Sequence, residues 1–257
     1  MSTSLGCLPI WRHKGSTRYW RNEMGNHREA RDVKGRSPGP FMKGTAMKIA
    51  IFLFDGVTAL DAIGPYESLA RLADSEIVFV GKTTGPVRTG DGFLALQADS
   101  DIASQEYADI LIVPGGHRRG LAAVMTDTKI HAWIRLIDAG SQWTTSVCTG
   151  ALILGAAGVL KGRKASTHWR AKSALARHDV AYSPARVTID GKYMTSAGVS
   201  AGLDMGLTLC ADLAGRELAE AIQLSMQYDP QPPFDTGNPI IAATAERVAL
   251  VETALRQ

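Results

Sequence analysis

"TTSVCTGALILG", residues 144–155, joins two patterns that belong to different elements. Thr144, Thr145 and Val147, with Trp143 before them, are the β-branched and aromatic residues of a strand, whereas Ala151 to Leu154 open an apolar helix. The corner between them carries Cys148, with the small residues Ser146 and Gly150 two positions to either side. A side chain on a sharp strand–turn–helix elbow needs such neighbours, because bulkier groups would collide with each other or with adjoining backbone. Strain at the apex is tolerated where it aims a side chain. Free N–H groups at the start of the following helix favour thiolate over thiol. The corner therefore predicts a nucleophilic thiol of lowered pKa. The competing reading is core filling, since free cysteine is among the most buried residue types.

Outward from this corner, strand and helix patterns alternate. "KIAIFLF" (48–54) is a buried-strand run that stops at Asp55-Gly56. "GPYESLARLA" (64–73) predicts a helix, with Gly64 near its N-cap and Pro65 in its first turn. "EIVFVGK" (76–82) predicts a second strand, "GFLALQAD" (92–99) an edge or hairpin strand, and "DILIV" (109–113) a buried one. A helix over 129–140, stopped by Gly140, leads into the strand 143–147. "RVTIDGKYMTS" (186–196) predicts a hairpin at Asp190-Gly191, followed by helices over 200–215, 217–228 and about 242–256. Several strands are apolar throughout, the mark of a parallel sheet covered by helices on both faces. No repeat and no second domain interrupt residues 47–257, which read as one α/β domain.

In open parallel sheets, sites form beyond the carboxyl ends of strands. Besides Cys148, "VPGG" (113–116) ends a strand in Gly115 and Gly116, which let backbone N–H groups approach a ligand. "ALDAIGP" (59–65) places Asp61 just ahead of a helix, where it serves as an N-cap or as an acid/base. Glu67 reads as a helix-surface residue, and His168 in "STHW" as structural or as an orienter of the thiol. Cys210, inside the apolar face of "LTLCADL", is core, and Cys7 has no role.

Charge is unevenly spread. Of 28 basic and 25 acidic residues, positions 1–46 hold nine and three, so the remainder is mildly acidic and offers no nucleic-acid surface. Those first residues lack periodicity and are broken by Gly and Pro, and they read as a basic, disordered extension, with Met47 opening the folded unit. No apolar run approaches the roughly 18 residues of a membrane span. Three scattered cysteines, with neither a CxxC nor metal-ligand spacing, suit a reducing compartment and point to the cytoplasm.

"FDGVTALDAIGPYE", "ILIVPGG", "SVCTGALILGAAGVLKGRKASTHW" and "TSAGVSAGLDMGLTL" together resemble the ThiJ/PfpI superfamily and, within it, the isonitrile (isocyanide) hydratases. The resemblance runs from about Met47 to Pro239. It implies a flavodoxin-like α/β sandwich of the class I glutamine amidotransferase-like kind, a homodimer, and no metal or organic cofactor. It implies hydration of an isonitrile to an N-substituted formamide, with Cys148 as nucleophile, Asp61 as acid/base and Thr149 as a hydrogen-bonding neighbour. Gly115 and Gly116 would line the substrate, N–H groups of Gly116 and Thr149 would stabilise the tetrahedral intermediate, and Val199 would form a pocket wall. Protease-like members carry histidine directly after the cysteine, where this chain has Thr149. AraC-type regulators share a similar domain and then add a helix-turn-helix module; here 42 residues follow Gly215, and "MQYDPQPPFDTGNP" is similar to the hydratase ending. Rival expectations are glyoxalase or deglycase chemistry on the same thiol, a redox sensor, and a ligand-sensing module.

Overall fold

The computed structural model describes residues 46–253; the proposed basic extension, with Cys7, lies outside the described residues. A seven-stranded sheet forms the centre. Strand β1 (Met47–Phe52) pairs in parallel with β2 (Ser75–Gly81) and with β6 (Ile110–Val113), and β6 pairs in parallel with β7 (Trp143–Val147). The short β5 (Ser100–Asp101) closes one edge beside β2. At the other edge β11 (Tyr193–Ser196) runs parallel to β7, and β10 (Val187–Asp190) pairs antiparallel with β11. The order β10-β11-β7-β6-β1-β2-β5 is thus parallel except at one edge.

Burial explains the choice. Ile49 to Leu53, Ile110 to Val113 and Trp143 to Val147 are buried residue after residue, as strands covered on both sides must be. Helices α1 (Ala59–Leu69) and α6 (Ala201–Ala214) pack on each other, as do α3 (Thr128–Gly140) and α4 (Gly150–Ala156). The helix α2 (Arg118–Val124) follows the Gly115-Gly116 loop, α5 (Lys172–Leu175) is a single turn, and α7 (Arg216–Ser225), α8 (Pro239–Ala242) and α9 (Ala245–Thr253) end the described chain.

Two expectations shift. The first helix starts at Ala59 rather than near Gly64, so Asp61 lies inside its first turn and Pro65 lies within the helix. Packing of α1 against α6, which buries Asp61, Ala62, Gly64 and Pro65, outweighs the local cost of an interior proline. The edge or hairpin strand expected over 92–99 shortens to β4 (Ala95–Ala98) and is a hairpin strand, paired antiparallel with β3 (Gly85–Arg88), which no strand signal in the sequence marks. A second small pair, β8 (Lys164–Ala165) with β9 (Ala181–Tyr182), was also unforeseen. The expected hairpin at the sheet edge is present, turning through Gly191 and Lys192.

Candidate active site

Three strand ends converge: β7 ends at Cys148, β6 ends at Gly115-Gly116, and the loop after β1 feeds α1 with Asp61. Cys148 has φ +59°, left-handed backbone that is rare outside glycine. The elbow is fixed from two sides. The Cys148 N–H donates to the carbonyls of Ser196 (3.2 Å) and Ala197 (3.0 Å), and the Thr167 hydroxyl donates to the Cys148 carbonyl (2.9 Å). Gly150 is required because a Cβ there would sit 2.0 Å from the Val113 carbonyl oxygen.

Asp61 is wholly buried. Its Oδ2 accepts from the Gly115 N–H at 3.0 Å, whereas its Oδ1 has no hydrogen-bond partner. The Cys148 thiol lies beside the same carboxylate, and each group shifts the titration of the other. Burial pushes the Asp61 pKa up to about 7, against the lowering effect of the Gly115 and Cys148 hydrogen bonds. Thr149 leaves α4 uncapped; its Oγ1 instead accepts from the Gly116 N–H at 3.1 Å. Gly115 fits between these groups, since a Cβ on it would lie 2.5 Å from Thr149 Oγ1 and 3.0 Å from Asp61 Oδ2.

Cys148 departs from the expected lowered pKa. Burial pushes its thiol up, and the Asp61 charge adds to this; N–H groups of Val199 and Thr149 directed at the sulfur act the other way. The seven-residue α4 does not offset the loss of water around a residue only 6% exposed. The resting pair is therefore a thiol beside a carboxyl group, which holds at most one negative charge between them. Ser146, behind the elbow, also has a buried hydroxyl without a partner.

Each proposed site residue falls in this cluster, with changed duties for some. The Gly116 N–H is committed to Thr149, so it is not the free donor expected for an intermediate. Val199, expected as a pocket wall, brings its backbone to the sulfur. It does so with φ +36°, an outlier for a β-branched residue. Sequence reasoning missed this because nothing in "SAGVSAG" beyond its small residues marks strain. His168 packs its ring on Gly198, and its Nδ1 accepts from the Arg170 N–H at 3.4 Å, so it supports the Val199 loop rather than the thiol. Among the described residues, no group of three or more His, Cys, Asp or Glu is arranged to hold a metal ion. A cavity of about 220 Å³ lined by Phe54, Lys82, Val87 and Asp127 among others lies apart from Cys148. No described helix is long and apolar enough to cross a membrane.

A strained cysteine on the strand–turn–helix corner after β7, beside a buried carboxyl from α1, marks an α/β protein whose mostly parallel sheet carries a sharp elbow at its carboxyl edge. Residues 47–212 match the model of the DJ-1/PfpI family, and the chain belongs to that family. It is 39% identical over 200 residues to the isonitrile hydratase of Pseudomonas putida, covering 78% of this chain and 86% of that protein. It is 40% identical over 202 residues to the HTH-type transcriptional regulator GbdR of Pseudomonas aeruginosa, of which it spans 54%. Among solved structures, a ThiJ/PfpI family protein from Pseudomonas syringae is 36% identical with a TM-score of 0.77, covering 84% of this chain and 91% of that one.

Proposed function

We propose that this protein is a cysteine-dependent isonitrile hydratase, converting R–N≡C and water to the formamide R–NH–CHO without a metal or organic cofactor. The observation that carries this reading is the coupled pair itself: a buried Cys148 thiol on a carboxyl whose pKa lies near 7 and whose second oxygen is unpartnered. Such a group accepts and returns a proton near neutrality.

The Cys148 proton passes to Asp61 as sulfur bonds to the terminal isonitrile carbon. Asp61 then gives that proton to the same carbon, leaving the thioimidate R–N=CH–S–Cys148. Asp61 next takes a proton from water as the water oxygen bonds to this carbon, and the proton moves to nitrogen. The C–S bond of R–NH–CH(OH)–S–Cys148 breaks, the hydroxyl proton returns through Asp61 to sulfur, and the formamide leaves. Atoms balance and nothing is oxidised; one covalent intermediate divides a hard addition into two easier steps. The burial of Cys148, which is only 6% exposed, favours this substrate class. An isonitrile presents a terminal, unsubstituted, electrophilic carbon on a linear group, whereas a ketoaldehyde brings a bent, planar carbonyl to the sulfur.

The kinship with GbdR favours a second reading, in which the site binds a small molecule without transforming it. A panel of small aryl and alkyl isonitriles, with methylglyoxal alongside, separates the readings. Formamide formation at many turnovers is expected. Lactate from methylglyoxal, or thermal stabilisation by a ligand recovered unchanged, with no formamide from any isonitrile, would overturn the proposal. The same reading includes a homodimer in the cytoplasm, which sedimentation and fractionation would check.

A further inference from the structure

A second opening lies beyond the ends of two other strands. β1 stops at Phe52 and β2 at Gly81. Residues 53–55 and 82–84, which leave these neighbouring parallel strands, form one side of the cavity of about 220 Å³. Helices α2 and α3 form the other side, through Val124 and Ile130. Ligands of open parallel sheets bind at such strand ends. Leu53, Phe54, Val87, Val124 and Ile130 give the cavity buried apolar walls. Its volume is below the roughly 300–1,000 Å³ of drug-sized sites, so its occupant is small. Phe54 is the wall that the cavity shares with the Gly115-Gly116 loop, since a Cβ on Gly116 would fall 2.8 Å from the Phe54 ring.

The charged groups around this cavity do not balance: Asp55 and Asp127 stand against Lys82. Asp127 is fully engaged. Its Oδ1 accepts from the Lys129 and Ile130 N–H groups, capping α3, and its Oδ2 holds the Lys82 ammonium at 2.6 Å. Asp55 is left over. Its Oδ1 accepts from the Arg88 N–H at 3.1 Å, but among the described residues no donor reaches Oδ2 and no cation pairs with the carboxylate. The Thr83 and Thr84 hydroxyls are likewise unbonded among the described residues. We propose that this cavity binds a small primary amine as its ammonium, with the charged nitrogen on Asp55 and the threonine hydroxyls and the hydrocarbon body on the apolar walls. A carboxylate ligand would meet Asp55 and Asp127 together. A neutral hydrocarbon would cover the spare Asp55 oxygen and leave it unpaired, at a cost. An ammonium on an apolar body satisfies the walls and the spare carboxylate at once.

This site is independent of the chemistry at Cys148, and its test needs no isonitrile turnover. Titration calorimetry on the full chain compares isoamylamine, protonated at neutral pH, with three probes carrying the same isobutyl group: isoamyl alcohol, isovalerate and L-leucine. Isoamylamine is expected to bind about tenfold more tightly than the alcohol, and both more tightly than isovalerate. Asp55→Asn keeps an acceptor for the Arg88 N–H and removes the charge; it should bring the amine to within about twofold of the alcohol. Ala123→Leu, an exposed α2 position lining the cavity, leaves every charge in place and should weaken the amine about tenfold by filling the space. Should Asp55→Asn fail to fold, Ala123→Leu carries the test. Asp61→Asn, which removes the carboxylate of the Cys148 site, should leave amine binding within about twofold. No binding of isoamylamine, tighter binding of isovalerate or L-leucine, or binding that is undiminished in Asp55→Asn and Ala123→Leu would overturn the proposal. So would its loss in Asp61→Asn, which would place the amine at the catalytic pair.

Discussion

Cys148 and Cys210 are both free, both buried and both held by burial in the thiol form, with Cys210 pushed up to about 12. By burial alone they are the same residue. What separates them is the backbone and the polar company. Cys210 sits mid-way along α6 in ordinary helix, and burial dominates its titration. Cys148 sits on a left-handed elbow, where the Asp61 charge and the Val199 and Thr149 N–H groups all act on its titration. A buried thiol becomes useful when the proton it holds has somewhere adjacent to go, and in the proposed mechanism Asp61 is that place. Low pKa in the resting state is then unnecessary; a matched acceptor serves instead.

Beyond the nucleophile itself, the largest effect is expected at Asp61. Asp61→Asn keeps the shape but not the base, and should lower kcat/KM for an isonitrile by roughly 10²–10⁴-fold. The same change should stabilise the fold in a pH-dependent way. The folded-state pKa of Asp61 is about 7, above its model-compound value of 3.8, so the stability linked to its proton is present at acid pH and lost as pH rises through about 7. Asp61→Asn should therefore match wild type in urea unfolding near pH 4 and exceed it by roughly 2–4 kcal/mol at pH 8. A variant less stable than wild type at pH 8 would argue against a buried carboxyl of raised pKa.

Next in size is Gly150→Ala. Its Cβ would meet the Val113 carbonyl at 2.0 Å, so the strand–helix corner must open. A loss of roughly 3 kcal/mol in stability is expected, with reactivity at Cys148 falling while that at Cys210 does not. The pH profile of wild-type kcat/KM gives a finer reading: it should rise as pH passes through about 7, where Asp61 becomes a base, and this limb should vanish in Asp61→Asn. Smallest is Cys210→Ala. A small core cavity should cost about 1 kcal/mol in urea unfolding and leave kcat/KM within about twofold.

The sheet was legible because its strands are runs of apolar residues bounded by turn residues, and "SVCTG" carries the elbow's requirements openly: small, nucleophilic, small. Asp61 and Gly115 were legible as strand-end residues of the right chemistry. Their duties were not. Whether Asp61 caps a helix or lies inside one depends on α1 packing against α6, a tertiary contact that shifted the helix start by five residues relative to the position Gly64 and Pro65 suggest. Cys148's raised pKa reflects how much chain closes over it, which neither composition nor spacing records. Val199 takes a left-handed backbone that a valine among small residues does not announce in a sequence.

The most direct test is formamide production from a small aryl isonitrile by wild type, Cys148→Ala and Cys210→Ala, prepared side by side and verified as folded. The account predicts turnover by wild type and Cys210→Ala at similar rates, and none above the uncatalysed background in Cys148→Ala. Undiminished turnover in Cys148→Ala would contradict it.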